Sequence, residues 1–250
     1  MSDAAARATA ARSALDRLLE TDAQTLRALL PDSFGDAIER YVALLLETNA
    51  RLNLTRIVDP EPIAKLHLLD AISALPVLDR IGARRAIEIG SGGGVPGLVL
   101  AIARPEMSWT LVDSVRKKAD ALRSFAAALE LSNVEVLGER AETMGRDPAH
   151  RERYDVVAAR ACASLPVLAE YALPLARVGG SLLAWKAELA DDELRRGRTA
   201  AAELGGGGPE VLPAGIDLLG GHRFVVVAKV DRTPDRYPRP PGAPTKRPLG

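Results

Sequence analysis

The strand-like run Ala86-Ile87-Glu88-Ile89 opens directly into Gly90-Ser91-Gly92-Gly93-Gly94-Val95-Pro96-Gly97. Glycines at a strand-to-helix turn leave bare backbone that a nucleotide-like ligand can approach closely. Residues 92–97 match the dinucleotide fingerprint G-x-G-x-x-G literally, but that match alone is weak. Glu88 separates the possible ligands. A carboxylate at this strand end repels the phosphates of a dinucleotide or triphosphate, and it attracts the sulfonium and α-ammonium groups of S-adenosylmethionine. Pro96 has no N–H to offer a phosphate. A triphosphate-binding loop fails outright, because Leu98 follows Gly97 where a lysine is needed.

Other candidates follow the same strand ends. Asp113 closes the second strand, where a carboxylate accepts both ribose hydroxyls; its structural alternative is a cap on the next helix. Ser114 follows, and Val115 can pack on an adenine face. Ala141 and Glu142 come after the third strand, where a backbone amide and a carboxylate could read the adenine edge; Glu142 could equally be a solvated loop acid. Arg160 ends the apolar run Val156-Val157-Ala158-Ala159 at the ligand-binding edge of the sheet, with a structural salt bridge as its alternative. Lys186 lies at the same edge. Arg116-Lys117-Lys118 opens a helix against its dipole, which points to phosphate contact or to plain solvation. Cys162 invites comparison with the nucleophile of pyrimidine methylation, but no proline precedes it and Ala161-Cys162-Ala163 reads as buried packing. His67, His150 and His222 have no metal-ligand spacing, so no metal is expected.

The elements that must carry these groups are legible from pattern. Ile38, Tyr41, Val42 and Leu45 recur at helical spacing within a helical region spanning about 4–52. Asp59-Pro60 caps and starts a further helix, which ends near Gly82. From residue 86 the chain alternates strands (86–89, 109–112, 134–137, 155–159, 180–185) with helices, including 97–104 and 116–131. Such alternation gives a mostly parallel sheet covered on both faces. The strand 222–229 has no helix immediately before it and is expected antiparallel at one edge. Residues 205–208 are expected to form a flexible joint.

With 47% hydrophobic and 26% charged residues the chain has ordinary soluble composition. A single cysteine excludes an internal disulfide, and no apolar run is long enough to span a membrane. A cytoplasmic protein with no membrane partner is expected. Zero formal net charge excludes a uniformly basic coat for nucleic acid, though not a local basic patch. The proline-rich end, 232–250, carries Arg232, Arg236, Arg239, Lys246 and Arg247 against Asp235. Its low apolar content predicts disorder when free, as a solvated tail or as an arm that folds on RNA. On this reading, deleting 232–250 weakens RNA binding and leaves cofactor affinity unchanged. The expected domains are a helical region 1–82, a Rossmann-like domain 83–231 and the tail 232–250.

With these residues in place, the chain resembles the bacterial 16S ribosomal RNA guanine-N7 methyltransferases, the RsmG or GidB family. The likeness runs from about Tyr41 to Lys229. It is carried by Asn53-Leu54-Thr55, His67-Leu68-Leu69-Asp70, the 90–97 loop with its Val-Pro-Gly, Leu111-Val112-Asp113-Ser114, Arg160-Ala161, Lys186 and Gly221-His222-Arg223. The tail, from Arg236-Tyr237-Pro238-Arg239 to Lys246-Arg247-Pro248-Leu249, looks like the endings of many members. The resemblance implies a class I S-adenosylmethionine-dependent methyltransferase fold. It implies cofactor binding around Gly90, Gly92, Val95, Asp113, Ser114, Val115, Ala141, Glu142 and Arg160. The implied substrate is a guanine in the decoding-region hairpin loop of 16S rRNA, free or within the small ribosomal subunit, and the enzyme is expected to be monomeric. Glu88 departs from the aspartate of many members by one methylene, so its contact with the cofactor is expected to be direct or through water.

Guanine N7 has a free lone pair and no proton to lose, so no general base is expected. Positive charge passes to the imidazole ring during transfer, which places Arg160, Lys186 and Arg223 on RNA phosphates or the O6 edge rather than beside N7. Aromatic residues make up only 4%, so recognition depends on folded RNA more than on serial base stacking. Two other classes fit the residues less well: a nicotinamide-dependent oxidoreductase using the literal fingerprint, and a non-catalytic RNA-binding or assembly factor on a methyltransferase fold. Methylation of another base or a small molecule is a third, because fold does not fix the acceptor.

Overall fold

The computed structural model describes residues 2–250. Among them the sheet has seven strands, β1 (Arg85–Ile89), β2 (Ser108–Val112), β3 (Val134–Leu137), β4 (Tyr154–Arg160), β5 (Ala176–Lys186), β6 (Glu210–Pro213) and β7 (Arg223–Ala228), in the order β3-β2-β1-β4-β5-β7-β6. The first five run parallel. Val156, Val157, Ala158 and Ala159 of β4 are all fully buried, as an unbroken apolar run in a doubly covered sheet requires. β7 is antiparallel to β5, as expected of 222–229, but lies one place in from the edge. The edge itself is β6, a four-residue strand ending in Pro213 and antiparallel to β7. It is mostly exposed, so no apolar alternation announces it.

One face of the sheet is covered by the N-terminal helices with Gly97–Ala103 and Arg116–Ala128, the other by Leu165–Ala172 and Asp191–Glu203. Helix Phe34–Leu52 buries Ile38, Tyr41, Val42 and Leu45, the stripe read from the sequence. Its Tyr41 hydroxyl donates to the Gly93 carbonyl at 2.8 Å, tying the helical region to the glycine turn. Pro60–Pro62 begins the next helix, and Gly82 ends Leu75–Ile81 in the left-handed conformation (φ 69°). Between them Ile63–Leu69 is π-helical, a feature often found at functional sites and invisible to a 3.6-residue period.

Two expectations are corrected. Residues 205–207 form a packed corner, and only Gly208 is open to solvent. Gly206 bridges to Lys229, and a Cβ on Gly205 (φ 80°) would meet the Asp231 carbonyl at 2.3 Å. The tail 232–250 is docked, not disordered. Arg151 donates to the Thr233 and Tyr237 carbonyls at 2.7 and 2.8 Å, buried Lys229 donates to Thr233 Oγ1, and Arg239 pairs with fully buried Glu170. Counting apolar area alone misses this, because the tail is held by satisfying polar groups that the domain already buries.

Candidate active site

The C-terminal ends of β1, β2 and β4 and the loop after β3 converge on the glycine turn. Gly90, Gly92 and Gly94 have φ of 73°, 54° and 98°, a region that side-chain-bearing residues rarely adopt. The Gly90 and Ser91 amides donate to the Val112 carbonyl at 2.8 and 3.0 Å, locking the turn to β2. Asp113, buried, accepts from the Gly92 amide at 2.9 Å and from the Val115 amide at 2.8 Å. The carboxylate therefore shapes the turn and the approach to helix Arg116–Ala128, while its remaining lone pairs can accept from a ligand.

Two cavities flank this turn and share Gly90. The first, about 160 Å³, is lined by Gly90, Asp113, Ser114, Ala141, Glu142, Cys162 and Tyr171 among others. The second, about 140 Å³, is lined by Thr55, His67, Gly92, Val95 and Arg160 among others. A third of about 420 Å³ adjoins the second through Arg160 and Ala161, and is walled by Leu66, Asp70, Trp185, Lys186, His222, Arg223 and Phe224. Val115 is exposed and lines none of the three. A bent cleft over bare Gly90, with an acid at the end of β2, fits an adenosyl group joined to an amino-acid arm. A Cβ on Gly90 would stand 3.1 Å from Cys162 Cβ and narrow that bend.

Glu88 does not face the cleft as its residue type suggests. A carboxylate suits a cationic ligand, but side chains alternate along a strand, and its neighbour Ile89 is the one that lines the first cavity. Glu88 is 1% exposed, points beneath the turn and lines none of the three cavities. A Cβ on Gly97 would lie 2.3 Å from its Oε2, so only glycine lets the carboxylate fit there. Oε2 has no hydrogen-bond partner among the described residues, and burial pushes the Glu88 carboxyl up to about 7, offset in part by Ser91 and Arg160. It touches the turn, not the cleft.

Cys162 is exposed, against expectation, and lines the first cavity. Its Sγ sits in a shielded corner near the Ile89 carbonyl, and desolvation followed by Glu88 raises the thiol to about 11. It stays protonated and is a poor nucleophile. Glu142 is not a solvated loop acid: it is 3% exposed, lines the first cavity, and its Oε1 accepts from the Gly242 amide of the tail at 2.9 Å.

Arg160 combines both of its readings. It lines the second and third cavities, and its Nη1 donates to Asp70 Oδ2 at 3.0 Å and to the Leu66 carbonyl at 2.8 Å. Asp70 Oδ1 accepts from His222 Nδ1 at 2.9 Å, and Trp185 Nε1 donates to the Asp70 carbonyl at 3.1 Å. Asp70 is thus the hub of the third cavity, at the exit of the π-helical turn. Sequence reasoning gave it no role. The available signal was a lone acid in the apolar run Leu68-Leu69-Asp70-Ala71-Ile72, where a buried charge demands partners. His67 lies beside Arg160 and Thr55, and burial with the Arg160 charge lowers it to about 4, so it is neutral at physiological pH.

Lys186 is spoken for by Glu193 (2.6 Å) and the Ala163 carbonyl (3.0 Å), which makes it a wall of the cavity. Arg223 donates only to the Gly221 carbonyl and has no carboxylate partner among the described residues. Among the described residues no group of His, Cys, Asp and Glu could hold a metal ion, and no helix is long and apolar enough to cross a membrane.

A glycine turn after β1, an acid closing β2 and an antiparallel β7 inserted beyond β5 define an S-adenosylmethionine-dependent methyltransferase. A solved SAM-dependent O-methyltransferase of Thermotoga maritima has this fold, with a TM-score of 0.51 at 16% identity over 76% of this chain and 72% of that one. Residues 35–209 match the family described as GidB, rRNA small subunit methyltransferase G, and the chain belongs to that family. A ribosomal RNA small subunit methyltransferase G of Roseiflexus sp. (strain RS-1) is 47% identical over 94% of this chain and 100% of its own length. The protein of the same name from Roseiflexus castenholzii is 49% identical over 84% of this chain and 89% of its own. The cofactor is S-adenosylmethionine.

Asp113→Asn leaves one oxygen to serve two backbone amides and turns an N–H₂ toward the other. Losing a charge-assisted bond of roughly 1.5–3 kcal/mol should weaken S-adenosylhomocysteine binding about 10- to 100-fold, read by calorimetry.

Proposed function

We propose that the protein transfers a methyl group to N7 of a guanine in the decoding-region hairpin loop of 16S rRNA, as a monomer in the cytoplasm. Relatives named for this small-subunit reaction, aligned over nearly the whole chain, carry the reading. The cofactor supplies an electrophilic methyl on a sulfonium. Gly90, Gly92, Val95, Asp113, Ser114 and Ala141 hold it in the bent cleft. The target base enters the large cavity, whose back wall is the edge-to-face pair Trp185 and Phe224, 5.2 Å between ring centroids.

The chemistry asks little of side chains. N7 attacks with its own lone pair, so the chain must align the reactants and keep cations off the imidazole ring. The Arg160 charge is matched by Asp70 on the cavity wall, which suits that need. Arg223, without a carboxylate partner, is the cation best placed to take an RNA phosphate. Lys186, held by Glu193, shapes the wall.

Methyl transfer from labelled cofactor to purified small-subunit RNA and to assembled subunits, with the modified position mapped, tests the proposal. The expected product is 7-methylguanine in the decoding hairpin; label on another base or on no RNA would overturn it. Arg223→Ala should weaken RNA binding several-fold and flatten its salt dependence, with cofactor affinity kept.

A further inference from the structure

The tail does more than cover the domain. Two of the residues lining the first cavity are gripped by it from outside. Glu142 Oε1 accepts from the Gly242 amide at 2.9 Å, and the Tyr171 hydroxyl shares a 2.9 Å hydrogen bond with Thr245 Oγ1. One residue before Tyr171, on the same helix, Glu170 is fully buried, and the Arg239 guanidinium and amide supply its hydrogen bonds. Gly145, just past the helix that carries Glu142, has no room for a Cβ, which would meet Pro238 Cγ at 2.9 Å.

The tail therefore joins two walls of one cavity, the short helix after β3 and the helix after β4. We propose that residues 239–246 are a strap that fixes the spacing of Glu142 and Tyr171, so that cofactor affinity depends on the C-terminal end of the chain. Gly242, Thr245 and Arg239 are positioning residues: they act through Glu142, Tyr171 and Glu170. This departs from the expectation drawn from composition, which made the tail a solvated extension or an RNA arm, in either case without influence on the cofactor. It rests on assigning the first cavity to the adenosyl half of the cofactor.

Deletion of 242–250 is the direct test, because it releases Glu142 and Tyr171 but keeps Arg239 on Glu170. Affinity for S-adenosylhomocysteine is measured by calorimetry, RNA affinity by filter binding without cofactor, and folding by thermal melt. Loss of these two hydrogen bonds should weaken cofactor binding about tenfold, with RNA affinity changed less than about twofold. Thr245→Val in the full-length chain, which loses only the Tyr171 contact, should weaken cofactor binding about threefold with an unchanged melting temperature. It decides the matter if the truncated chain does not fold. Cofactor affinity within experimental error of the full-length chain in the folded variants overturns the strap, and so does a loss confined to RNA binding. Asp113→Asn serves as the control. If it weakens cofactor binding while the tail variants do not, the strap is wrong; if it too leaves binding unchanged, the cavity assignment is wrong.

Discussion

Asp70→Ala is expected to cost about 3–5 kcal/mol of stability, the usual penalty for removing one partner of a buried ion pair. For a chain of this size that lowers the melting temperature on the order of 10 °C. Asp70 has 3% side-chain exposure and Arg160 20%, so water cannot replace the lost carboxylate well. His222 loses its partner in the same step, and the 63–72 segment loses the ion pair and the hydrogen bond that tie it to β4 and to the start of β7. Methyl transfer should fall by more than cofactor affinity does, because the cavity proposed for the target base is damaged and the Asp113 side of the cleft is not. Urea denaturation with parallel calorimetry checks both parts. Asp70→Asn, which keeps an acceptor, should lose less stability; equal losses in the two variants would mean that charge pairing is not what Asp70 provides.

Glu88→Gln is expected to gain on the native protein by about 3 kcal/mol between pH 5 and pH 8. The carboxyl is raised from 4.5 to about 7 by burial, so the folded chain holds its proton where the unfolded chain has lost it. Native stability therefore falls as pH rises through this window, by about 1.4 kcal/mol for each pH unit between the two values. Glutamine cannot ionise and escapes the penalty. Below pH 4.5 both side chains are neutral and the comparison reflects packing alone. Denaturation of the two proteins at pH 5 and pH 8 gives the result, and a difference independent of pH would refute a strained carboxylate at this position.

Much of the geometry of the glycine turn was legible because turn chemistry is local. Gly90, Gly92 and Gly94 announce positive φ, and Asp113 announces itself by closing β2. Asp59-Pro60 and Gly82 bounded their helices, and the apolar run of β4 declared a doubly covered strand. Glu88 was misread because residue type was weighed without the face of the strand. The π-helical turn changes which residues share a face without changing composition, so Asp70 was passed over. The edge strand β6 is too short and too exposed to carry a pattern. The tail was misjudged because its attachment depends on Glu170 and Glu142, acids whose burial is decided by elements far away in the chain.

The Tyr41 hydroxyl rests on the Gly93 carbonyl, and a Cβ on Gly93 would press within 3.0 Å of Leu45 Cδ1. The helix Phe34–Leu52 is therefore a keystone, not an appendage. A fragment begun at residue 83 would keep every strand and yet lose the prop under its most delicate bend. Whatever grasps that helix from outside also has a hand on the glycine turn and the two cavities beside it.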